Sequence, residues 1–182
     1  MAADIDLRYP IGKAVDQAYS KEVFSRKLKD AHILDIRIAP MLLENAILNL
    51  DEHQLDTPYR PEGWTVRQVI HHVADSHMNA VCRFKLALTE ENPTIKGYEE
   101  AAWAKLSDSN TLPVNISLTL LHALHLRWVT VLESMNDEQW NRKFFHPEHK
   151  RFMVLWEVAG IYAWHGKHHA AHITSLRERM GW

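Results

Sequence analysis

The residues best equipped for chemistry in this chain are its histidines. There are 13 of them in 182 residues, and the densest group is WHGKHHAAH, from Trp164 to His172. His165 and His169 are four apart, and so are His168 and His172. In a helix an i,i+4 pair is separated by about 6 Å of rise and points the same way. That spacing lets one helix present two imidazoles to one metal ion, as in H-E-x-x-H sites, although no glutamate stands between the histidines here. Position matters as much as spacing. With Val154 as origin and 100° per residue, His165, His169 and His172 fall within about 60° of the stripe formed by Val154, Val158, Ile161 and Leu176, and His168 lies about 40° to its other side. Imidazoles on an apolar face need partners, because an unpaired buried polar group costs free energy. A lone histidine in such a place is ordinary packing. Two overlapping pairs are better satisfied together by a divalent ion, and three neutral imidazoles with open water positions define a catalytic zinc-like site.

A second helical stretch, from Val66, offers the third imidazole. Its apolar stripe is Val66, Val69, Ile70, Val73, Ala80, Val81, Phe84 and Leu88. His77 lies about 20° from Val66, inside that face; His72, at about 240°, sits on its margin; His71, at about 140°, faces away. Periodicity leaves His72 and His77 both open and slightly prefers His77 as the buried one. His71 and His32 are expected to face water.

The remaining candidates read more simply as structure. His77, His168 and His172 are pocket-lining or orienting candidates, but each is more economically a satisfied core or rim histidine. His122 and His125 read as packing, and His146 and His149 lie in a loop that could rim a pocket. Glu157 and Asp75 are possible orienters or bases, with a solvated role the simpler reading. Cys82 is an ordinary helix residue. Of the tryptophans, Trp64, Trp103, Trp128, Trp156 and Trp164 supply core mass, one or two of them walling the site.

These residues must be held by helices. Residues 1–19 contain Pro10 and Gly12 and read as an extended arm. Ser20 then opens a helical pattern from about Lys21 to about Leu50, which Pro40 must kink or divide. Asp56–Trp64 is turn-rich. Thr65 caps the second long helix, which Pro93 ends. The connection Thr94–Leu112 is long enough to invite a functional reading and holds a short helix near Glu99–Lys105. A third long helix starts near Pro113, NDEQW (Asn136–Trp140) is a capped turn, FFHPEHKRF (Phe144–Phe152) is a loop, and a fourth helix runs from about Met153 to about Met180. Four long helices without a convincing strand predict an all-α, up-and-down four-helix bundle, with residues 20–182 as one domain. The order in which the helices neighbour one another is not legible at this stage.

Composition narrows the partners. Lys plus Arg is 21 against 23 for Asp plus Glu, so no basic excess drives binding to nucleic acid or an anionic membrane. The single cysteine excludes an internal disulfide and a cysteine zinc site, and favours a reducing, cytoplasmic setting. No secretory signal and no membrane-spanning run is seen.

Gly63–Glu100 (GWTVRQVIHHVADSHMNAVCRFKLALTEENPTIKGYEE) and Tyr162–Trp182 (YAWHGKHHAAHITSLRERMGW), with Asp6–Lys13 (DLRYPIGK) and Phe144–His149 (FFHPEH), resemble the DinB superfamily in its YfiT-like branch. The likeness covers nearly the whole chain. It implies a four-helix bundle and one divalent metal ion per chain, zinc or nickel, held by three histidines. One ligand is the second His of a W-[ST]-x-x-x-x-x-H-H pattern, here His72; the other two form H-x-x-x-H on the last helix, here His165 and His169. The resemblance thus chooses His72 over His77. It implies a cytoplasmic, homodimeric, metal-dependent hydrolase that activates water against a small-molecule substrate. Relatives that use low-molecular-weight thiols imply an alternative, a bacillithiol-type thiol S-transferase. A third possibility is a non-enzymatic, metal-stabilised stress-response protein whose histidines only anchor the bundle.

Overall fold

The helix boundaries follow from local capping chemistry. The computed structural model describes residues 6–14 and 24–182, so the expected helix start at Ser20 lies outside the described residues. Helix α1 (Arg26–Ala46) begins where Ser25, in extended backbone, accepts a hydrogen bond from the Leu28 N–H at 3.2 Å. Pro40 lies inside α1, which runs through it undivided. A short α2 (Glu52–Leu55) follows, and α3 (Val66–Thr89) opens on a capping box in which the Thr65 hydroxyl accepts from the Gln68 N–H and the Gln68 side chain returns to the Thr65 N–H. Two short helices, α4 (Glu100–Trp103) and α5 (Ser107–Thr111), occupy the long connection to α6 (Val114–Ser134), whose N-cap is Pro113. After α7 (Asp137–Trp140), strands β1 (Lys143–His146) and β2 (Arg151–Val154) lead into α8 (Leu155–Met180). Gly181 ends α8 in the left-handed conformation, at φ 72°, which a glycine adopts without steric cost.

The four long helices α1, α3, α6 and α8 form the expected all-α bundle. Each of α1 and α3 packs against both α6 and α8, which places α1 diagonally opposite α3. Chain direction can be read from the two apolar clusters that fill the bundle. One joins Ile33 and Ile36 of α1, Ala80 and Phe84 of α3, Trp128 and Leu132 of α6, and Leu155 and Val158 of α8. The other joins Leu43 of α1, Val66 and Ile70 of α3, Leu118 and Leu121 of α6, and Ile173 and Leu176 of α8. Hence α1 and α8 run one way, and α3 and α6 run the other. The order is up, down, down, up: alternation holds from α1 to α3 and from α6 to α8. It fails across residues 90–113, because that connection is long enough to carry the chain back to the end from which α3 started.

One expectation is corrected here. Residues 144–152 are not a plain loop: β1 and β2 pair antiparallel, Lys143 opposite Val154 and His146 opposite Arg151. Phe144, His146 and Met153 turn inward and are buried, while Lys150 takes a positive φ of 52° in the turn.

Helix α1 approaches α8 closely at Gly166. A methyl group added at Gly166 would lie 2.8 Å from the Ala39 Cβ. Gly166→Ala is therefore expected to destabilise the protein by roughly 1–3 kcal/mol despite its better helix propensity. Ala39→Gly in the same chain should recover part of that loss. Thermal unfolding of the two single variants and the double variant measures this coupling.

No helix among the described residues is long and apolar enough to cross a membrane.

Candidate metal centre

Between the two apolar clusters lies a layer of histidines. His72 of α3 and His165 and His169 of α8 each offer one ring nitrogen, and the three nitrogens lie within 4.8 Å of one another. The helical spacing of α8 explains the pair: His165 Nε2 and His169 Nε2 are 3.2 Å apart. His72 approaches from the antiparallel neighbour, its ring centroid 5.4 Å from that of His165 and 5.0 Å from that of His169. His72 and His169 are buried, and His165 is half-buried.

The electrostatics follow from burial. Desolvation penalises the imidazolium form, so the His72 pKa is pushed down to about 4 and those of His165 and His169 well below the usual histidine range. All three are neutral at physiological pH and keep a lone pair for a Lewis acid. Buried His169 Nδ1 has no hydrogen-bond partner among the described residues. Three converging neutral imidazoles without a carboxylate among them suit a borderline divalent ion such as zinc or nickel rather than magnesium or calcium, which take oxygen ligands.

The surroundings are aromatic. Trp64 packs on the His72 ring at 4.5 Å between centroids, and Trp164 stacks on His168 at 4.1 Å. Trp64 thus lies against the cluster, Trp164 covers a neighbouring histidine outside it, and Trp128 is fully buried core. Tyr59 stacks on His172 at 4.0 Å, and His172 Nε2–H donates to the Arg8 carbonyl at 3.1 Å. Tyr9 stacks on His168. The segment 6–14 therefore lies against the outer histidines of α8.

His77 is not part of the three-nitrogen cluster, yet it is not simple packing. Its Nε2 lies 3.0 Å from His165 Nδ1, and its Nδ1 lies 2.7 Å from His125 Nε2. His125, read from the sequence as packing, in turn places its Nδ1 on the Ile36 carbonyl.

His71 and His32 do not face water; each is only 5% exposed. His71 Nε2–H donates to the Leu112 carbonyl at 3.1 Å, and Nδ1 accepts from the Ser117 hydroxyl at 2.7 Å. A single-stripe wheel fails here because α3 is covered on a second side by α6 and by the connection before it. The two carboxylate candidates do not reach the cluster. Glu157 is held by both terminal nitrogens of Arg151, and Asp75, its pKa raised to about 6 by burial, feels Asp108 rather than the histidines. Cys82 is exposed.

A cavity of about 520 Å³ opens beside the cluster, with His165 in its wall. The long connection contributes Tyr98, Glu99 and Glu100, the hairpin contributes His146 and His149, and α3 and α8 contribute Arg83 and Tyr162. The connection and the hairpin line this cavity, His146 and His149 included, where the sequence reading places the two histidines in a loop that could rim a pocket. Arg83 Nη1 donates to the Tyr162 hydroxyl at 3.4 Å.

Comparison with known proteins agrees with this architecture. Residues 35–173 match the model of the DinB superfamily. A protein of Bacillus cereus (strain B4264) named "Putative metal-dependent hydrolase" is 54% identical over 177 residues, which cover 97% of this chain and 99% of the relative. A Bacillus anthracis relative of the same name is 53% identical with the same coverage. The solved structure of YfiT from Bacillus subtilis, described as "a probable metal-dependent hydrolase with an unusual four-helix bundle topology", superposes with a TM-score of 0.92 at 48% identity, covering 98% of this chain and 99% of that one. Bundle, histidine layer and sequence agree: the chain belongs to the DinB superfamily.

Proposed function

We propose that this chain is a metal-dependent hydrolase of small molecules, with His72, His165 and His169 holding one divalent ion per chain. The observation that carries the reading is that His165 belongs both to the three-nitrogen cluster and to the wall of the adjoining cavity. The ligand set and the chamber thus share a side chain, and three protein ligands leave room for water and substrate, as a catalytic rather than a structural site requires. The names of the relatives point the same way.

A divalent ion bound there supplies Lewis acidity and an acidified water nucleophile near neutral pH. The protein's own part is to keep three imidazoles neutral by burial, fix their rings and bound the chamber. Trp64 and the apolar clusters exclude bulk water behind the histidines. In the chamber, Arg83 offers a guanidinium for an anionic substrate oxygen; it donates to the Tyr162 hydroxyl, and the Tyr162 ring packs against His165. With Glu157 and Asp75 elsewhere, the proton acceptors are those of the chamber wall itself: the imidazoles His146 and His149 and the carboxylates Glu99, Glu100 and Glu148, of which Glu100 is made more basic by burial. We place the protein in the cytoplasm as a homodimer, on its single cysteine and its family.

The test is a panel of p-nitrophenyl esters and N-acyl p-nitroanilides assayed with the zinc-loaded protein. Turnover should disappear with a chelator and return with zinc, with no dependence on added thiol. A rate that appears only when a low-molecular-weight thiol is supplied would replace hydrolysis with thiol transfer.

A further inference from the structure

Proline removes the N–H that would bond the carbonyl four residues earlier in a helix. Pro40 lies inside α1, so the carbonyl left without its intrahelical donor is that of Ile36. This is the carbonyl on which His125 Nδ1 rests. A buried carbonyl requires a donor, and α6 provides one at the position that the proline vacates.

The consequence runs on to the metal centre. A carbonyl only accepts, so His125 Nδ1 carries the hydrogen. A neutral imidazole has one donor and one acceptor nitrogen, so His125 Nε2 accepts, and His77 Nδ1, 2.7 Å away, donates to it. His77 Nε2 then accepts from His165 Nδ1 at 3.0 Å. His165 is left with a bare lone pair on Nε2, the atom facing His169 Nε2. Each ring fixes the tautomer of the next, starting from one backbone carbonyl.

We propose that Pro40, His125 and His77 are positioning residues for the metal centre: the proline frees the Ile36 carbonyl, and the histidine chain built on it orients His165 and holds its Nε2 ready for the ion. Metal-bound histidines commonly donate their second nitrogen to a carboxylate or carbonyl. Here the acceptor is another neutral ring, so the orientation must be imported from α1. The chain ends on a carbonyl, which takes up no proton. It therefore sets direction and does not conduct protons away from the site.

This inference rests on the three-histidine metal reading. Its test combines zinc affinity by competition with a chromogenic chelator and imidazole 15N spectra, which distinguish Nδ1–H from Nε2–H rings. In the wild type, with or without zinc, His125, His77 and His165 should all appear as Nδ1–H forms. His77→Leu and His125→Phe should each weaken zinc binding by roughly 10- to 100-fold. His125→Gln, whose amide has both an acceptor and a donor, should recover part of the loss. Pro40→Ala should restore an intrahelical donor to Ile36, weaken zinc several-fold and leave thermal stability unchanged or higher, an opposition of signs that a purely structural proline would not produce. An Nε2–H form of His165, or wild-type zinc affinity in both His77→Leu and His125→Phe, overturns the proposal while leaving the metal site standing. Failure of the wild type to bind zinc overturns both. The wild-type spectra decide the tautomers even if a variant fails to fold.

Discussion

Acidifying the metal-free protein from pH 7 to pH 4 is expected to unfold it. Imidazoles of the unfolded chain titrate near 6.5, whereas burial lowers His32, His72, His125 and His172 to about 4 and His168 to about 3. Between those values the unfolded state binds more protons than the folded one, so stability falls as pH falls. The stability tied to these groups is complete above about pH 6.5 and is lost as pH drops toward 4. For the deeply placed His72 and His125 the loss is on the order of 3 kcal/mol each. His32, His168 and His172 are buried as well and add contributions of the same sign. Those of His72 and His125 alone reach the lower end of the roughly 5–15 kcal/mol that holds a domain together. Urea unfolding followed by circular dichroism at pH 7, 6, 5 and 4 should show the midpoint falling steeply below 6.5. A midpoint independent of pH across that range would contradict the buried histidine layer.

The second large effect is the loss of one ligand. His169→Ala leaves His72 and His165, and zinc affinity should drop by more than the roughly 10- to 100-fold that outer partners cost. Stability should report the same loss. Zinc at 1,000 times its dissociation constant stabilises a folded protein by about 4 kcal/mol. For a chain of this size that corresponds to about 8–16 °C in the thermal midpoint. Wild type should show a rise of that order on adding zinc, and His169→Ala should show almost none. Calorimetric scans with and without zinc make the comparison. An equal rise in both proteins would remove His169 from the site.

The sequence made much of this centre visible, for a physical reason. The pair on α8 is local: the i,i+4 repeat puts His165 and His169 together whatever the tertiary fold. Long helices also announce themselves by capping residues such as Thr65 and by stripes such as Val66–Val69–Ile70–Val73. The third imidazole is not local. A helical wheel ranked His77 above His72, and only family likeness favoured His72. In the structure His77 is indeed the more buried, but it stands behind His165 rather than beside the open nitrogens.

Other features were lost because they depend on what packs where. His71 is covered by α6 on a face that its own helix marks as polar. The hairpin consists of two four-residue strands around Pro147, too short for alternation to show. The parallel course of α3 and α6 is permitted by the length of their connection, which fixes no direction by itself. The role of His125 was not legible: its spacing reads as packing, and although Pro40 leaves the Ile36 carbonyl without its helical donor, only the fold shows which side chain brings one.

The central claim is that three named histidines hold one divalent ion. Its most direct test is elemental analysis of the zinc-loaded, gel-filtered protein beside a His72→Ala, His165→Ala, His169→Ala triple variant. The account predicts one ion per chain in the wild type and none in the variant. A wild type without stoichiometric metal, or a variant that retains it, would contradict the account.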